Sequence, residues 1–383
     1  MRNLIFLFCA LFAEEIEVRL KTAAEAKPVY LVMDHPLRTV LEFDLNGGGF
    51  LHVVDRKAPH LIQVFEDGNM LQATVVNPER GTKRHFANIP ADRKGIHRLS
   101  DLIYKELFGI EGIASCRLLY AQRDSSGIGF ISEIYCCDSD GANPERITFD
   151  NDYCVTPSFY PKSEDFFYIS YKQGQSKIFR SNVKSKKSEL AFELRGSQVL
   201  PSMDRQGVQM AFISDVAGRP DLFVHSFGKS RQLFSAPRAT QASPTFSPDG
   251  QKIAFVSDKD GSPRVYLMDL HQVRKSLHLL TKRNRENTSP AWSPDGKKLA
   301  YSAKVDGVRQ IWLYDFETED EIPLTSGGVN KENPSWAPDS LHLVYNTENE
   351  DESELFILQI KQKVPIQITS GGGQKRFPAW EIR

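Results

Sequence analysis

The acidic residues that could do chemistry in this 383-residue chain recur in a repeated pattern. A Ser-Pro-Asp-Gly sequence occupies residues 247–250 and again 293–296, and a related Ala-Pro-Asp-Ser occupies residues 337–340. An aspartate that repeats in this way could bind a metal or act as an acid or base. Proline followed by Asp-Gly is, however, typical of a tight turn between strands. We therefore interpret Asp249, Asp295 and Asp339 as turn residues spread over several repeats.

The sequence lacks the common catalytic signatures. It contains no Gly-x-Ser-x-Gly nucleophile elbow and no His-Glu-x-x-His zinc motif. Residues 47–49 are three glycines, but no GxGxxG frame follows a strand there, so a phosphate-binding loop is not indicated. His97 and Asp101 have the spacing of a surface pair on a helix. We therefore predict that the protein is not an enzyme and needs no cofactor.

A proline followed two positions later by a large apolar residue recurs along the chain. The six steps begin at Pro157, Pro201, Pro244, Pro290, Pro334 and Pro378. Successive prolines are 43 to 46 residues apart, which is the period of a four-stranded propeller blade. Trp292, Trp336 and Trp380 share one repeat position, so we interpret them as core between blades. These features predict an all-β, six-bladed β-propeller.

The two ends of the repeat region predict how the ring closes. The last step, at Pro378, has no hairpin after it, whereas the first hairpin, at residues 117–137, has no inner strand before it. Joining the two fragments gives six complete blades. We therefore predict a propeller over residues 112–383, closed non-covalently by a C-terminal strand at residues 377–383, although chain termini are usually expendable.

The first 111 residues have a different pattern. Residues 1–13 combine an arginine, an apolar run and a small residue before two glutamates, which is typical of a cleaved signal peptide. The run is shorter than the roughly 20 residues needed to span a bilayer. Residues 14–111 then predict a small α/β domain preceded by an extended arm. In it, helices at residues 37–45 and 96–108 pack on a mixed sheet of four or five strands.

Charge and cysteine content narrow the classes of function. The formal net charge is −1, which does not favour nucleic-acid binding. Four cysteines remain beyond the signal peptide, at Cys116, Cys136, Cys137 and Cys154, and none has CxxC metal spacing. An exported protein could pair them. Free thiols and a single disulfide therefore both remain open.

The residues just before each proline step vary from blade to blade, whereas the scaffold repeats. They lead into the innermost strand of each blade, so we expect them to rim one mouth of the central channel. Variable residues on a rigid scaffold usually carry recognition, although these could simply solvate the mouth. The segments are residues 153–156, 197–200, 240–243, 286–289, 331–333 and 375–377.

Three motifs together resemble a known family. A helix ends in Tyr-Lys-Glu-Leu-Phe-Gly-Ile-Glu-Gly at residues 104–112, directly before the first blade. Pro-x-Trp-Ser-Pro-Asp-Gly turns follow, and Arg-Phe-Pro-Ala-Trp closes the repeats at residues 376–380. In these features residues 15–383 resemble the TolB family, the periplasmic propeller proteins of the Tol-Pal system.

The resemblance implies a periplasmic, monomeric adaptor that supports outer-membrane integrity and invagination at cell division without inserting into a membrane. It implies binding of the peptidoglycan-associated lipoprotein Pal at the channel mouth, and of TolA by the N-terminal arm. The implied lipoprotein contacts are Thr240, Gln241, Ser243, Glu286, Asn287, Thr288, Ser289, Glu332 and Asn333. The implied arm contacts are Ile16, Glu17, Val18, Arg19 and Leu20.

Two other classes of function remain as alternatives. The first is a propeller-type hydrolase or ligand-binding protein with its site in the central channel. The second is a purely structural envelope component. The sequence leaves open whether the channel holds a metal.

Overall fold

The computed structural model describes residues 26–123, 131–273, 275–349 and 352–382. The predicted signal peptide and the arm residues Ile16 to Leu20 lie outside these ranges. The chain divides into two compact units between Ser115 and Cys116. Within the described ranges, neither helix is long and apolar enough to cross a membrane.

The first unit packs two helices on a five-stranded mixed sheet. Its strands are β1 (Lys27–Met33), β2 (Leu51–Val54), β3 (His60–Asp67), β4 (Met70–Asn77) and β5 (Thr82–Pro90), in the order β2-β1-β3-β4-β5. Strand β1 runs parallel to β2 and β3, and the other pairs are antiparallel. The helices are α1 (Arg38–Gly47) and α2 (Arg93–Phe108). Helix α2 buries the apolar stripe predicted from its sequence, which includes Ile96 and Ile103.

Helix α2 differs from its sequence-based interpretation at two places. It begins before Ile96 because the Asp92 carboxylate caps it, accepting from the Gly95 N–H at 2.8 Å. The predicted His97–Asp101 surface pair is wrong. His97 is buried, and its Nδ1 lies 2.8 Å from Asp44 Oδ2 on α1. Asp101 instead accepts hydrogen bonds from the backbone of the segment that follows the helix.

The second unit is a ring of six four-stranded sheets, which confirms the predicted six-bladed β-propeller. Blade 1 contains β6 (Arg117–Arg123), β7 (Ser132–Asp138) and β8 (Glu145–Arg146). Blade 2 contains β9 (Cys154–Phe159), β10 (Asp165–Ser170), β11 (Lys177–Asn182) and β12 (Ser188–Leu190). Blade 3 contains β13 (Gln198–Met203), β14 (Gln209–Ser214), β15 (Asp221–Ser226) and β16 (Lys229–Phe234).

The remaining blades repeat this pattern. Blade 4 contains β17 (Gln241–Phe246), β18 (Lys252–Ser257), β19 (Arg264–Asp269) and β20 (His278–Leu279). Blade 5 contains β21 (Asn287–Trp292), β22 (Lys298–Val305), β23 (Val308–Asp315) and β24 (Glu321–Pro323). Blade 6 contains β25 (Asn330–Trp336), β26 (His342–Glu348), β27 (Leu355–Gln359) and β28 (Pro365–Gln367), and β29 (Gln374–Trp380) returns to blade 1.

The second strand of each blade is buried on both faces because neighbouring blades cover both. In β10 and β18 five consecutive residues are buried, although successive side chains of a strand point to opposite faces of the sheet. One large aromatic, such as Tyr168, Tyr301 or Tyr345, is fully buried near the centre of such strands. The blade sheets thus share cores across their interfaces, so no blade is expected to be stable alone.

The first and last strands of the propeller meet in one sheet. Strand β29 pairs antiparallel with β6, from Gln374 opposite Arg123 to Trp380 opposite Leu118. The strand thus begins earlier than residue 377. Arg117 reinforces the closure, since its Nη2 lies 2.6 Å from Glu381 Oε1. The ring is therefore held shut by a strand that is contiguous with blade 1 in space but not in sequence.

The Ser-Pro-Asp-Gly segments are turns, as their sequence predicts. In the fifth blade the Ser293 hydroxyl donates to Asp295 Oδ1 at 2.6 Å, and the same oxygen accepts from the Lys297 N–H at 3.0 Å. Gly296 has a φ of 77°, which a side chain would strain. The aspartates close local turns, and each turn belongs to a different blade.

The tryptophans at the shared repeat position contact neighbouring blades. The Trp336 indole N–H donates to the Ala291 carbonyl oxygen of the preceding blade at 2.9 Å, and Trp336 and Trp380 are buried. Trp292 is only half-buried and stacks on Phe316 at 4.7 Å. The interpretation as core between blades therefore holds most clearly for Trp336.

The four cysteines of the described residues are buried, and Cys136, Cys137 and Cys154 are free thiols. Burial raises the pKa of Cys136 to about 12. Such a thiol stays protonated near neutral pH and is a poor nucleophile. Of the two alternatives left open by the sequence, the structure therefore contains free thiols.

The sixth blade carries a buried acid that should make stability pH-dependent. Asp339 Oδ2 lies 2.6 Å from His342 Nδ1. Burial alone would raise the pKa of Asp339, but His342 and two backbone N–H groups outweigh burial and lower it. A lowered folded-state pKa contributes stability above the unfolded value of 3.8 that is lost as pH falls through the folded value.

Asp339→Asn is therefore expected to cost about 1–3 kcal/mol of unfolding free energy at neutral pH, the usual cost of losing charged hydrogen bonds. Urea unfolding at neutral pH and again at about pH 3 or below measures the difference, which should shrink towards acid pH. Asp306→Asn, at an exposed hairpin turn of the fifth blade, is the control. An equal cost at both pH values would contradict the assignment.

Candidate functional site

The inner strands of the six blades line a central channel with two chambers. We call the end at which these strands begin the mouth, and the end at which the Ser-Pro-Asp-Gly turns lie the turn end. The upper chamber has a volume of about 210 Å³ and is lined by each blade's proline and its two neighbours. The lower chamber, of about 180 Å³, lies towards the turn end. Both chambers share one ring of side chains, which is Ser158, Ser202, Thr245, Ala291, Ser335 and Ala379.

The residue before each proline has a left-handed backbone in all six inner strands. These residues have φ between 45° and 56°, and they are Thr156, Leu200, Ser243, Ser289, Asn333 and Phe377. Each strand is also bulged at this step, because proline has no N–H to donate to the neighbouring strand. Such a backbone costs about 1–3 kcal/mol per residue and persists only where the fold enforces it. Strained residues often cluster at binding sites, so the ring makes this end of the channel a candidate site.

Two of the residues implied as lipoprotein contacts do not reach the mouth. Gln241 and Asn287 are buried, at 1% and 0% exposure. The Asn287 side-chain amide donates to Thr281 Oγ1 at 3.0 Å and to the Asn284 carbonyl. The Gln241 amide faces Pro220 O at 2.6 Å and Asp221 Oδ1 at 3.0 Å. Their direct contact role is therefore wrong, because alternation in the strand turns both side chains into the blade.

The other implied residues occupy two levels of the channel. Thr240 is exposed at the mouth, and Glu286, Thr288 and Glu332 are half-buried there. Ser243, Ser289 and Asn333 lie deeper and line the upper chamber. There the Ser289 hydroxyl donates to Asn333 Oδ1 at 3.1 Å, and the Asn333 amide donates to Asn346 Oδ1 at 3.0 Å. A polar chain thus joins the fifth and sixth blades across the chamber wall.

Arg309 organises the charged part of the mouth. Its Nε lies 3.1 Å from Glu332 Oε1, and its Nη1 donates to Thr288 Oγ1 at 3.2 Å. Glu286 lies 3.9 Å from Nη2 and 3.5 Å from Lys304. All of these charged side chains are between a quarter and two-fifths exposed. One guanidinium therefore holds three of the implied contact residues in place while leaving them accessible.

The charged network continues into blade 1. Arg376, on the closing strand, pairs with Glu348 of the sixth blade. Burial and the nearby Glu332 carboxylate raise the pKa of Glu348, whereas Arg376 opposes this. From Lys304 to Arg376 the wall carries charges of both signs around three blades, with the carboxylates of Glu332 and Glu348 as neighbours. We call this set of six side chains the mouth network: Lys304, Glu286, Arg309, Glu332, Glu348 and Arg376.

Sequence reasoning missed Arg309. The residue lies on the third strand of the fifth blade, beyond the hairpin tip, and not in any segment preceding a proline. A signal was present in the hairpin, since β22 and β23 have eight residues each and extend past most other blade strands. That extra length carries Lys304 and Arg309 to the mouth. Because these two residues are distant in sequence from Glu286 and Glu332, the sequence did not indicate that the four side chains meet.

Comparisons with known proteins agree with this architecture. Residues 104–382 match the family described as the TolB beta propeller domain. The chain is 39% identical to a protein named TolB homolog from Protochlamydia amoebophila, over 84% of this chain and 82% of that protein. It is 34% identical to a TolB homolog of Chlamydia abortus, over 61% of each chain.

Solved structures give the same fold. The crystal structure of TolB from Acinetobacter baumannii superposes with a TM-score of 0.83 and covers 94% of this chain and 97% of that one, at 22% identity. A structure described as a putative TolB from Agrobacterium tumefaciens gives a TM-score of 0.55, covering 68% and 91% of the two chains at 14% identity. With the family match over residues 104–382 and the close relative from Protochlamydia, the chain belongs to the TolB family.

Proposed function

We propose that the protein is a periplasmic adaptor of a Tol-Pal system, and that its channel mouth binds a peptidoglycan-associated lipoprotein of the Pal type. The observation that carries the proposal is the mouth network, which spans three blades at the end of the channel where the six inner strands have a strained backbone. A preformed polar surface of this kind suits protein recognition, since little conformational entropy is lost on binding.

The charges of both signs in the mouth network favour a folded protein partner. A small ligand would meet a wide, charged rim, whereas a protein surface could present complementary charges to several blades at once. Half-buried charges held by neighbours lose less solvation on binding than free ones, and they set the register of the complex. Family membership supports the identity of the partner.

The lining of the two chambers supports a function other than catalysis. No histidine is among the described lining residues of either chamber. The carboxylate among them, Glu381, is held by Arg117 at 2.6 Å. The serine hydroxyls of the lining therefore have no neighbouring base that would make them nucleophiles.

Engagement of TolA by the arm residues Ile16 to Leu20 is the second part of the proposed function. We further propose that the protein acts as a monomer at the envelope, with its signal peptide removed after export, and that it supports outer-membrane integrity and cell division through these two partners.

Affinity capture from solubilised envelope tests the proposal. The intact mature protein, immobilised through an added tag, should recover a lipoprotein with a peptidoglycan-binding domain, identified by mass spectrometry. Thr240→Arg, which adds bulk and charge at an exposed mouth position, should reduce recovery strongly. Lys229→Glu, on the exposed strand β16, is the matched control and should leave recovery unchanged. Failure of the intact protein to recover any such lipoprotein would refute the proposal.

A further inference from the structure

The turn end of the channel is crossed by one arginine side chain. Arg205 belongs to the third blade, in the turn where the Ser-Pro-Asp-Gly sequence is not preserved. Its Nη1 donates to the carbonyl oxygen of Pro294 in the fifth blade at 3.0 Å, so the side chain passes the whole of the fourth blade. Arg205 also lines the lower chamber. A positive charge therefore lies at the turn end of the channel.

The charge of Arg205 is not neutralised by a neighbour. Among residues 26–123, 131–273, 275–349 and 352–382, no carboxylate lies within 4.0 Å of its guanidinium nitrogens. The adjacent Asp204 is buried and accepts the Val208 N–H at 2.7 Å. Glu381 is held by Arg117. A half-buried guanidinium that donates to one carbonyl oxygen still has other N–H groups that can donate to an anion.

Two hydroxyls of the shared ring are available as further donors. The Thr245 oxygen accepts the backbone N–H of Trp292 at 3.4 Å, and the Ser335 oxygen accepts that of Trp380 at 3.2 Å. A hydroxyl that accepts from the backbone keeps its own hydrogen to donate. Both residues line the lower chamber together with Arg205. The chamber thus combines one guanidinium with hydroxyl donors, which is the donor set that a carboxylate needs.

We propose that the lower chamber is a carboxylate-binding subsite, with Arg205 as its charged ligand and the hydroxyls of Thr245 and Ser335 as further donors. The volume of about 180 Å³ exceeds that of a cavity of roughly 150 Å³ that admits benzene, so a carboxylate with several further heavy atoms has room. The chamber is too small to admit a folded domain. The carboxylate is therefore carried by a small molecule or by the narrow tip of a polypeptide.

The subsite can be tested on the intact mature protein without any partner. Trp292, Trp336 and Trp380 line the chamber, so their fluorescence reports on its occupancy. The probes are acetate, N-acetyl-Gly-Gly with its free carboxylate, and the same dipeptide with an amidated C-terminus. We expect at least one of the two carboxylates to give a saturable change and the amide to bind at least about tenfold more weakly, because charged hydrogen bonds are roughly twice as strong as neutral ones.

Arg205→Gln should weaken binding of the carboxylate by at least about tenfold while leaving the amide unaffected. Arg231→Gln, at an exposed position of β16, is the control and should bind like the unaltered protein. Equal binding of acid and amide, or no saturable response to either carboxylate, would overturn the proposal. That comparison uses unaltered protein, so it decides the matter even if the Arg205 variant does not fold.

The source of the carboxylate is decided by competition. If it belongs to a segment of the captured lipoprotein, which rests on the proposed function, excess N-acetyl-Gly-Gly should reduce recovery of that protein. If it belongs to a free small molecule, recovery should not change. Arg309→Glu separates the two proposals, because it should strongly reduce lipoprotein recovery and leave binding of the dipeptide intact. Loss of both in that variant would contradict a distinct subsite.

Discussion

Deleting residues 374–383 is expected to broaden the unfolding transition of the propeller and to lower its melting temperature by more than about 10 °C. The deletion removes the inner strand of blade 1, including the buried Trp380 and the ion pair between Glu381 and Arg117. Loss of a buried tryptophan alone costs about 3–5 kcal/mol. At about 2–4 °C per kcal/mol for a domain of this size, the combined losses exceed 10 °C.

Calorimetry of the truncated and intact proteins measures this effect. Because closure is non-covalent, a synthetic peptide of residues 374–383 added in excess should restore much of the lost stability, whereas a peptide of the same composition in scrambled order should not. A truncated protein that melts cooperatively at the temperature of the intact one would show that the ring does not depend on β29.

Arg309→Glu is expected to weaken lipoprotein binding by at least about 30-fold. Disrupting a hydrogen-bonded charge pair at an interface costs about 2–5 kcal/mol, and each 1.4 kcal/mol is a factor of ten. The substitution places a third carboxylate beside Glu286 and Glu332 and releases Thr288. Calorimetric titration of the purified proteins gives the dissociation constants.

A second variant separates loss of recognition from loss of folding. Arg309→Glu combined with Glu332→Arg keeps an internal ion pair and exchanges its signs, so the fold should be retained. The double variant should still not bind the lipoprotein, because the two charges that it presents to the partner are exchanged. Arg231→Glu, on the exposed β16, should bind normally. Recovery of full affinity in the double variant would mean that Arg309 acts only as a scaffold.

The repeat made the fold predictable from sequence. Proline steps at a nearly constant spacing defined the blades, and the unmatched ends required that the last strand join the first. Tight turns such as residues 293–296 could be interpreted from proline, aspartate and glycine alone, because their hydrogen bonds are local. Features that depend on neighbouring residues, or that repeat along the chain, can therefore be predicted from the sequence alone.

The site was only partly predictable. The segments near the mouth were identified, but alternation within the inner strands buries Gln241 and Asn287. The strain at Ser289 and its equivalents depends on strand pairing that proline interrupts, and nothing local in those residues favours φ near 50°. Arg309 and Glu332 meet because two strands of adjacent blades converge, and the pair His97–Asp44 joins residues 53 apart. Such contacts follow from the packed fold.

The most direct test of mouth recognition is site-specific photo-crosslinking in living cells. A photoreactive amino acid replaces Thr240, which is exposed at the mouth and whose backbone N–H, not its side chain, donates to Asp258 at 2.6 Å. The same amino acid at Lys229, on an outer strand, is the control. We predict a light-dependent adduct with a peptidoglycan-associated lipoprotein from position 240 and none from position 229. An adduct from position 229 without one from position 240 would contradict binding at the mouth.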